Sequence, residues 1–261
     1  MESKTTDMIK QITFSPTGGT KKVADAVSKG IGKDVECIEL CVPASKLVST
    51  TLSEDDITVI AAPVFGGRIP SLAVERISKI KGNGALCVII AVYGNRAYDD
   101  ALFELQDVAT SAGYHVIAAI GAVAEHSIVR EYGAARPDAA DIHELESYGK
   151  KIAEIVAQAD IREKAALTLP GNRPYKKAGS GPVPSAGSSC EECGACAKMC
   201  PVGAIDIYNV KKTDKEKCVS CMKCISVCPR SARKIGSVMH FLVKTMLKKP
   251  CRERKMNELF I

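Results

Sequence analysis

The feature that most constrains this 261-residue chain is a duplicated cysteine run. One copy extends from Cys190 to Pro201 and the other from Cys218 to Pro229, and both read Cys-x2-Cys-x2-Cys-x3-Cys-Pro. This is the spacing of paired 4Fe–4S sites, because a tight loop places three thiolates around one face of a cluster and a distant cysteine completes it. The sequence therefore predicts two 4Fe–4S clusters. The candidate ligands are Cys190, Cys193, Cys196, Cys200, Cys218, Cys221, Cys224 and Cys228.

Two other uses of cysteine fit this run less well. A pair of structural zinc sites would also use Cys-x2-Cys knuckles, but it leaves both prolines and the duplication unexplained. A disulfide framework suits short secreted chains, whereas residues 1–10 lack the apolar core of a signal peptide and no segment has the length of a membrane span. We therefore expect a cytoplasmic protein, where thiols stay reduced, and the oxygen sensitivity of such clusters favours an anaerobic host.

Residues 190–233 resemble the two-cluster bacterial ferredoxins. The resemblance implies that the fourth cysteine of each run binds the cluster of the other run. One set would then be Cys190, Cys193, Cys196 and Cys228, and the other Cys218, Cys221, Cys224 and Cys200.

The charge of the chain is unevenly distributed. Residues 170–261 carry 18 Lys and Arg against 7 Asp and Glu, whereas residues 1–169 carry 18 against 23. Opposite net charges favour two domains that attract one another. Small soluble ferredoxins are usually acidic, so the basic C-terminal part departs from that family. A nucleic-acid partner is not expected, because aromatic residues for base stacking are nearly absent there.

The N-terminal part begins with a strand, a glycine-rich loop and a helix. Residues 8–14 suit a buried strand, and residues 21–31 have helical apolar spacing. A loop of glycine and hydroxyl residues at such a junction suits an anion, because backbone N–H groups and the helix N-terminus face it. The spacing is neither that of a Walker loop nor that of a dinucleotide turn, and a plain turn is the alternative. The candidate residues are Ser15, Thr17, Gly18, Gly19 and Thr20.

Two further loops follow apolar strands predicted at residues 56–62 and 85–92. Each loop combines glycine with an aromatic residue, and ligands of open α/β sheets bind at the carboxyl ends of the strands. Aromatic rings there could stack on a planar cofactor. The candidate residues are Pro63, Val64, Phe65, Gly66, Gly67, Tyr93, Gly94, Asn95, Arg96, Tyr98 and Asp99.

Five predicted strands alternate with helices over about 160 residues, which indicates an α/β doubly wound parallel sheet. Residues 8–160 resemble flavodoxin, and this implies strand order 2-1-3-4-5 and FMN as cofactor. The loops at residues 65–68 and 93–96 are similar to those of anaerobic flavodoxin–ferredoxin fusion proteins. Because the chain has no Trp, we expect Tyr98, and after it Phe65, to stack on the flavin.

These elements define four segments. We expect a flavodoxin-like FMN-binding domain at 1–160, a linker at 161–189, a small α+β ferredoxin-like domain with two 4Fe–4S clusters at 190–233, and a basic amphipathic helix at 234–261. The linker is either mobile or laid along the first domain. The helix is expected to cover one of the two cores, with a membrane surface or an acidic redox partner as alternatives.

A flavin carries one or two electrons and each cluster carries one. The predicted function is electron transfer between a redox partner (a ferredoxin or an oxidoreductase), the two clusters and FMN. A flavin-dependent reductase of a quinone, ferric chelate or nitro compound is the alternative, and a binding module with structural or sensory clusters is a third hypothesis. No catalytic residue and no nicotinamide fingerprint are visible. His126 could reach the flavin crevice, although a loop contact is favoured for it.

Overall fold

The computed structural model describes residues 8–163, 165–179 and 181–261. Residues 1–7 of the expected first domain and residues 164 and 180 of the expected linker lie outside this description. The N-terminal strands are β1 (Met8–Thr13), β2 (Asp34–Glu39), β3 (Ile57–Pro63), β4 (Leu86–Tyr93) and β5 (His115–Val123). The helices between and after them are α1 (Gly19–Ile31), α2 (Ser71–Ser78), α3 (Ala101–Ser111) and α4 (Ala139–Val156).

These five strands are parallel and lie in the order β2-β1-β3-β4-β5. The predicted strand order and doubly wound fold are therefore confirmed. The central strands β3 and β4 are buried along their whole length, because helices cover both faces of the sheet. Ile60 and Ile89 belong to the core on one face, and Val59 and Ile90 belong to the core on the other.

Helices α1 and α4 approach closely on one face of the sheet through two glycines. A Cβ atom added to Gly30 would lie 2.9 Å from the Cα atom of Gly149, and one added to Gly149 would lie 2.3 Å from the carbonyl oxygen of Val27. Real Cβ atoms do not come this close to backbone, so this helix pair requires glycine at both positions. The contact fixes α1, and with it the loop that precedes it.

The cysteine-rich segment forms a small unit of short elements. They are β6 (Ser185–Ala186), α5 (Ala195–Lys198), α6 (Lys223–Ser226) and β7 (Arg233–Lys234). Strands β6 and β7 pair antiparallel, with Ser185 opposite Lys234 and Ala186 opposite Arg233. This pairing places residues before Cys190 in the same unit, so the unit begins earlier than the expected boundary.

The linker lies along α3, which was one of the two predicted alternatives. The Arg173 guanidinium lies 4.4 Å from the ring centroid of Phe103, and the backbone N–H of Lys176 donates to Asp100 at 2.7 Å. The Arg68 guanidinium lies 4.6 Å from the ring centroid of Tyr175. These cation–π and charge-assisted contacts hold the described linker residues against the N-terminal unit.

The C-terminal segment differs from the expected helix over 234–261. Helix α7 extends over Ser237–Lys248, and the chain then returns to add a sixth strand, β8 (Glu258–Phe260), antiparallel to β5. The Asn257 side chain accepts a hydrogen bond from the backbone N–H of Val123 at 2.9 Å. The last residues of the chain are therefore part of the N-terminal sheet.

Helix α7 covers a core with only part of its apolar surface. Leu247 is buried against Val129 and Cys251, and Val243 packs beside them. The expectation that the apolar side chains of this helix cover a core is wrong for its other face. Its exposed apolar residues are Val238, Met239, Phe241, Leu242 and Met246. No helix within the described ranges is long and apolar enough to cross a membrane.

Candidate functional site

The glycine-rich loop between β1 and α1 leaves the helix N-terminus open. Gly18 occupies the N-cap position with φ of +93°, and no side chain caps the helix. The Ser15 hydroxyl accepts a hydrogen bond from the backbone N–H of Lys21 at 2.9 Å, and the backbone N–H of Ser15 donates to Glu39 at 3.2 Å. Ser15 therefore shapes the loop and accepts from one N–H group of the first turn of α1, while Gly18 at the N-cap has no side chain to offer the others.

Thr17 and Gly19 line a cavity of about 540 Å³ beside this helix N-terminus, which we call the loop cavity. Its wall also contains Lys22 from α1, and Ser226 and Lys234 from the cysteine-rich unit. Neither lysine forms an ion pair within the described part of the chain. Cations, hydroxyls and a helix N-terminus together suit a phosphate group.

A second cavity of about 310 Å³, the crevice cavity, lies at the carboxyl ends of β3 and β4. Its wall is mainly apolar, which suits a planar ring system. Ser127 lines both cavities, so they adjoin one another. The predicted residues that line the crevice cavity are Val64, Phe65, Gly66, Gly67, Tyr93, Gly94 and Arg96.

Several predicted cofactor residues line neither cavity. Tyr98 packs edge-on against Tyr93, with ring centroids 5.4 Å apart, and its hydroxyl contacts Glu258. Of the two residues predicted to stack on the flavin, Phe65 lines the crevice cavity and Tyr98 does not. The residues predicted for the cofactor that lie outside both cavities are Ser15, Gly18, Thr20, Pro63, Asn95, Tyr98 and Asp99.

Asn95 and Asp99 contact other parts of the chain instead of a cavity. The Asn95 amide donates to the carbonyl oxygens of Cys251 and Glu253 at 3.1 and 2.9 Å, so it fixes the C-terminal segment. Asp99 forms ion pairs with Arg96 and, at 2.7 Å, with Lys176 of the linker. Both residues therefore hold the surroundings of the crevice in place.

His126 lines the crevice cavity and also makes the loop contact that the sequence favoured. Its Nδ1 atom accepts hydrogen bonds from the backbone N–H groups of Ile128 and Val129 at 3.2 and 3.1 Å. Burial, and then the nearby charge of Arg96, lower the pKa of His126 to about 4. The imidazole is thus neutral near pH 7 and carries its proton on Nε2, which makes that atom a hydrogen-bond donor.

The crevice wall also includes residues from three distant segments, which sequence reasoning missed. Gly181 and Pro182 come from the linker, Val219 and Ser220 from the second cysteine run, and Val243, Met246 and Leu247 from α7. Local sequence pattern carries no signal for these contacts, because they depend on how the units pack together.

The eight predicted ligands surround two separate cavities, four cysteines to each. We call Cys190, Cys193, Cys196 and Cys228 the outer set, and Cys200, Cys218, Cys221 and Cys224 the inner set. Each set combines three cysteines of one run with the last cysteine of the other, which is the division that the ferredoxin resemblance implied. Within the described ranges, no three His, Cys, Asp or Glu side chains are placed to hold a single metal ion.

At these cavities backbone hydrogen bonds favour the thiolate form of cysteine, whereas burial favours the neutral thiol. Backbone N–H groups of Ala204 and Ala232 donate to the sulfur atoms of Cys200 and Cys228 at 3.3 and 3.2 Å. Burial raises the pKa of Cys224 to about 12. Because only the thiolate binds iron, cluster binding here releases protons.

The buried Arg233 provides a test of whether the cavities suit anionic clusters. Its guanidinium is 1% exposed and forms no ion pair with a carboxylate in the described ranges. Its Nη1 atom donates to Cys196 at 3.6 Å, and its Nε atom has no hydrogen-bond partner among the described residues. A buried cation is costly without a counter-charge. Four thiolates around a 4Fe–4S cluster supply one, so the residues fit the cluster.

The inner set lies against the N-terminal unit. The buried Arg76 of α2 donates to the carbonyl oxygen of Pro201, next to Cys200, at 2.8 Å. The nearby buried Cys41 thiol, which follows β2, lowers the pKa of Cys221. Two ligands of the inner set thus adjoin residues of the flavodoxin-like unit.

The fold and the cysteine sets define the class of this protein. It joins an α/β unit with a doubly wound parallel sheet to a ferredoxin-type dicluster domain. Residues 189–232 match the 4Fe-4S dicluster domain family, which confirms the two predicted clusters.

Known proteins resemble the two parts separately. A segment of 44 residues is 41% identical to one component of the ion-translocating oxidoreductase complex of Methanosarcina acetivorans and covers 16% of this chain and 17% of that relative. A flavodoxin of Streptococcus pneumonia TIGR4 is 21% identical with a TM-score of 0.40, covering 56% of this chain and 98% of that one. Rubredoxin oxygen:oxidoreductase of Desulfovibrio gigas is 15% identical with a TM-score of 0.42, and the match covers 63% of this chain and 39% of that one.

Proposed function

We propose that this chain binds FMN across the loop and crevice cavities and relays electrons between it, the two clusters and an external redox protein. Two features of the cavities support FMN. The loop cavity combines an open helix N-terminus with the cations Lys22 and Lys234, which suits the phosphate. The adjoining crevice cavity has an apolar wall that includes Phe65 and Tyr93, which suits the ring system.

One observation is the main support for electron transfer between the clusters and the flavin. Val219 and Ser220 line the crevice cavity, and they are the two residues between Cys218 and Cys221 of the inner set. The loop that would hold the inner cluster is therefore also a wall of the proposed flavin site. No residue between the first three cysteines of the outer set, all of which the structure describes, lines that cavity. We assign the inner set to exchange with the flavin and the outer set to exchange with the partner.

The exposure of the cysteines supports this order. Cys200 and Cys221 of the inner set are buried, whereas Cys193 of the outer set is exposed. A redox protein could thus approach the outer cluster from solvent, while the inner set adjoins the N-terminal unit at Arg76 and lines the wall of the crevice through Val219 and Ser220. The relative from Methanosarcina acetivorans is named as part of an oxidoreductase complex, which supports a protein partner for this chain also.

When bound, FMN supplies conversion between one- and two-electron transfers, and the clusters supply one-electron steps. The chain positions and insulates these groups. Phe65 offers a ring for stacking, and His126 keeps a proton on Nε2 at the cavity wall. Val243, Met246 and Leu247 of α7 enclose the cavity and limit the entry of water. The same wall limits the access of a small-molecule electron acceptor to the proposed flavin site, and this favours the relay over a reductase.

The composition of anaerobically purified protein tests the proposed cofactors. We expect about eight irons, about eight sulfides and about one FMN per chain. Cys218→Ser should lower the iron content, because it removes an inner ligand. Cys87→Ser is the matched control, since Cys87 is a buried thiol of β4 outside both sets, and it should keep full iron. Absence of FMN, or full iron in Cys218→Ser, would contradict the proposal.

The exposed face of α7 is a second contact surface, and we propose that it lies on an anionic membrane. The four exposed apolar residues of this face that do not line the crevice cavity are Val238, Met239, Phe241 and Leu242. Lys248, Lys249 and Arg252 follow them, and none of these cations forms an ion pair within the described residues. An apolar stripe with cations at its edge suits insertion among anionic headgroups. The three cations beside the stripe, unpaired among the described residues, make an anionic membrane the occupant that we favour over a protein partner.

A further inference from the structure

The duplicated cysteine run places two different residues at equivalent positions. The first copy continues from Cys200 through Pro201 to Ile205, and the second from Cys228 through Pro229 to Arg233 at the same spacing. Ile205 is 5% exposed and Arg233 is 1% exposed. An arginine thus occupies a buried position at which the first copy has an apolar side chain.

Packing alone does not account for this arginine. Nη1 of Arg233 donates to the carbonyl oxygen of Val210 at 2.7 Å, and Nη2 contacts the Thr213 hydroxyl and the carbonyl oxygen of Pro184, the latter at 3.4 Å. These are neutral acceptors. A carboxylate would be the usual partner of a buried guanidinium, but Arg233 has none within the described ranges.

The position of the guanidinium relates it to both cysteine sets. Nη1 donates to the sulfur atom of Cys196 at 3.6 Å, and Arg233 lines the cavity of the outer set. Its Nη2 atom contacts Pro184 and Thr213, and both of these residues line the cavity of the inner set. One cation therefore lies close enough to influence both predicted clusters.

We infer that Arg233 is a counter-charge shared by the two clusters, which raises both of their reduction potentials. Reduction of a cluster adds one electron from the external reductant, and no bond forms or breaks at Arg233. Each reduced cluster is more negative by one charge, so a fixed cation in a buried site stabilises the reduced form more than the oxidised form. The inference depends on the clusters, and because Arg233 also lines the loop cavity, the FMN content of each variant is measured to separate this inference from the FMN proposal.

Potentiometric titration of the full chain, followed by electron paramagnetic resonance of each cluster, tests this role. Arg233→Ile copies the residue of the first run and removes the charge. We expect it to lower both potentials, with at least a tenfold loss in each reduction equilibrium constant, which is about 59 mV for one electron. Arg233→Lys should stay near the wild-type values. Lys212→Gln is the control, because it removes an exposed cation of the same unit.

The outcomes separate charge from shape. If Arg233→Ile keeps its iron and either potential stays at the wild-type value, the inference is wrong. An equal shift in Lys212→Gln would also overturn it, because general surface charge would then explain the effect. If Arg233→Ile loses iron while Arg233→Lys retains it, the counter-charge is supported. Loss of iron in both variants would contradict it, since the residue would then act through its shape.

Discussion

At the scale of single residues, His126 combines two tasks at the crevice. Its Nδ1 atom organises the loop through the backbone of Ile128 and Val129, and its ring forms part of the cavity wall. A Cβ atom on Gly94 would lie 2.5 Å from the imidazole, so glycine at that position makes room for the ring. The first task requires the neutral imidazole, because a protonated ring has no acceptor at Nδ1.

This requirement predicts a pH dependence of stability. The pKa of His126 is about 4 in the folded chain and about 6.5 when unfolded. Between these two pH values the unfolded state binds more protons than the folded state. The contribution of His126 to the free energy of unfolding is therefore complete above pH 6.5 and is lost as the pH falls towards 4. Near pH 5.5 the loss is about 1 kcal/mol relative to neutral pH. Anaerobic denaturant titrations at both pH values measure it.

His126→Asn isolates the contribution of the imidazole, because an amide oxygen can replace Nδ1 as acceptor without titrating. In this variant the free energy of unfolding should differ between neutral pH and pH 5.5 by about 1 kcal/mol less than in the wild type. His143→Asn is the control, since His143 is exposed on α4. A His126→Asn protein with the pH dependence of the wild type would show that His126 titrates normally.

Residue-level prediction from sequence is most specific where chemistry fixes the spacing. The two cysteine sets follow from the run and the ferredoxin resemblance, and each set lines one cavity. The roles of Tyr98 and Asn95 did not follow from their loops. Tyr98 turns to Glu258 and Asn95 to the segment near Cys251, and both partners come from the distant C-terminus.

At the scale of elements, the sequence predicted the alternating strands and helices with small boundary differences, because apolar periodicity is a local property. It did not predict β8. Glu258–Phe260 is a three-residue strand, and its place beside β5 depends on the return of the chain after α7. The apolar face of α7 was also mispredicted, since periodicity shows that a face is apolar and not what it contacts.

The membrane proposal for α7 predicts binding to vesicles. The wild-type protein should sediment with vesicles of phosphatidylcholine and phosphatidylglycerol, less with phosphatidylcholine alone, and less again at high salt. Phe241→Glu with Leu242→Glu should abolish binding. Val48→Glu is the control, because Val48 is exposed in the N-terminal unit. Equal binding of the double variant, or no binding of the wild type, would contradict the proposal, and capture of a redox protein by this face would assign it to a protein partner instead.

At the scale of the whole molecule, a few interdomain contacts determine which cluster adjoins the crevice. Arg76 joins the segment after β2 to Pro201. It donates to the carbonyl oxygen of Val42 at 2.6 Å and to that of Pro201 at 2.8 Å. Ser226 donates to the carbonyl oxygen of Pro16 at 3.1 Å. The sequence alone does not show which cysteine set adjoins the crevice. The two runs have the same spacing, and they differ in surroundings only once the N-terminal unit packs against one of them.

The most direct test of the relay is the kinetics of internal electron transfer. Anaerobic protein is reduced by less than one equivalent of a photochemical one-electron donor, and flavin and cluster absorbance are followed separately. We predict that the electrons redistribute between flavin and clusters with a first-order rate constant that does not depend on protein concentration, because the inner set adjoins the crevice. A rate that rises in proportion to protein concentration, or no redistribution, would contradict the relay.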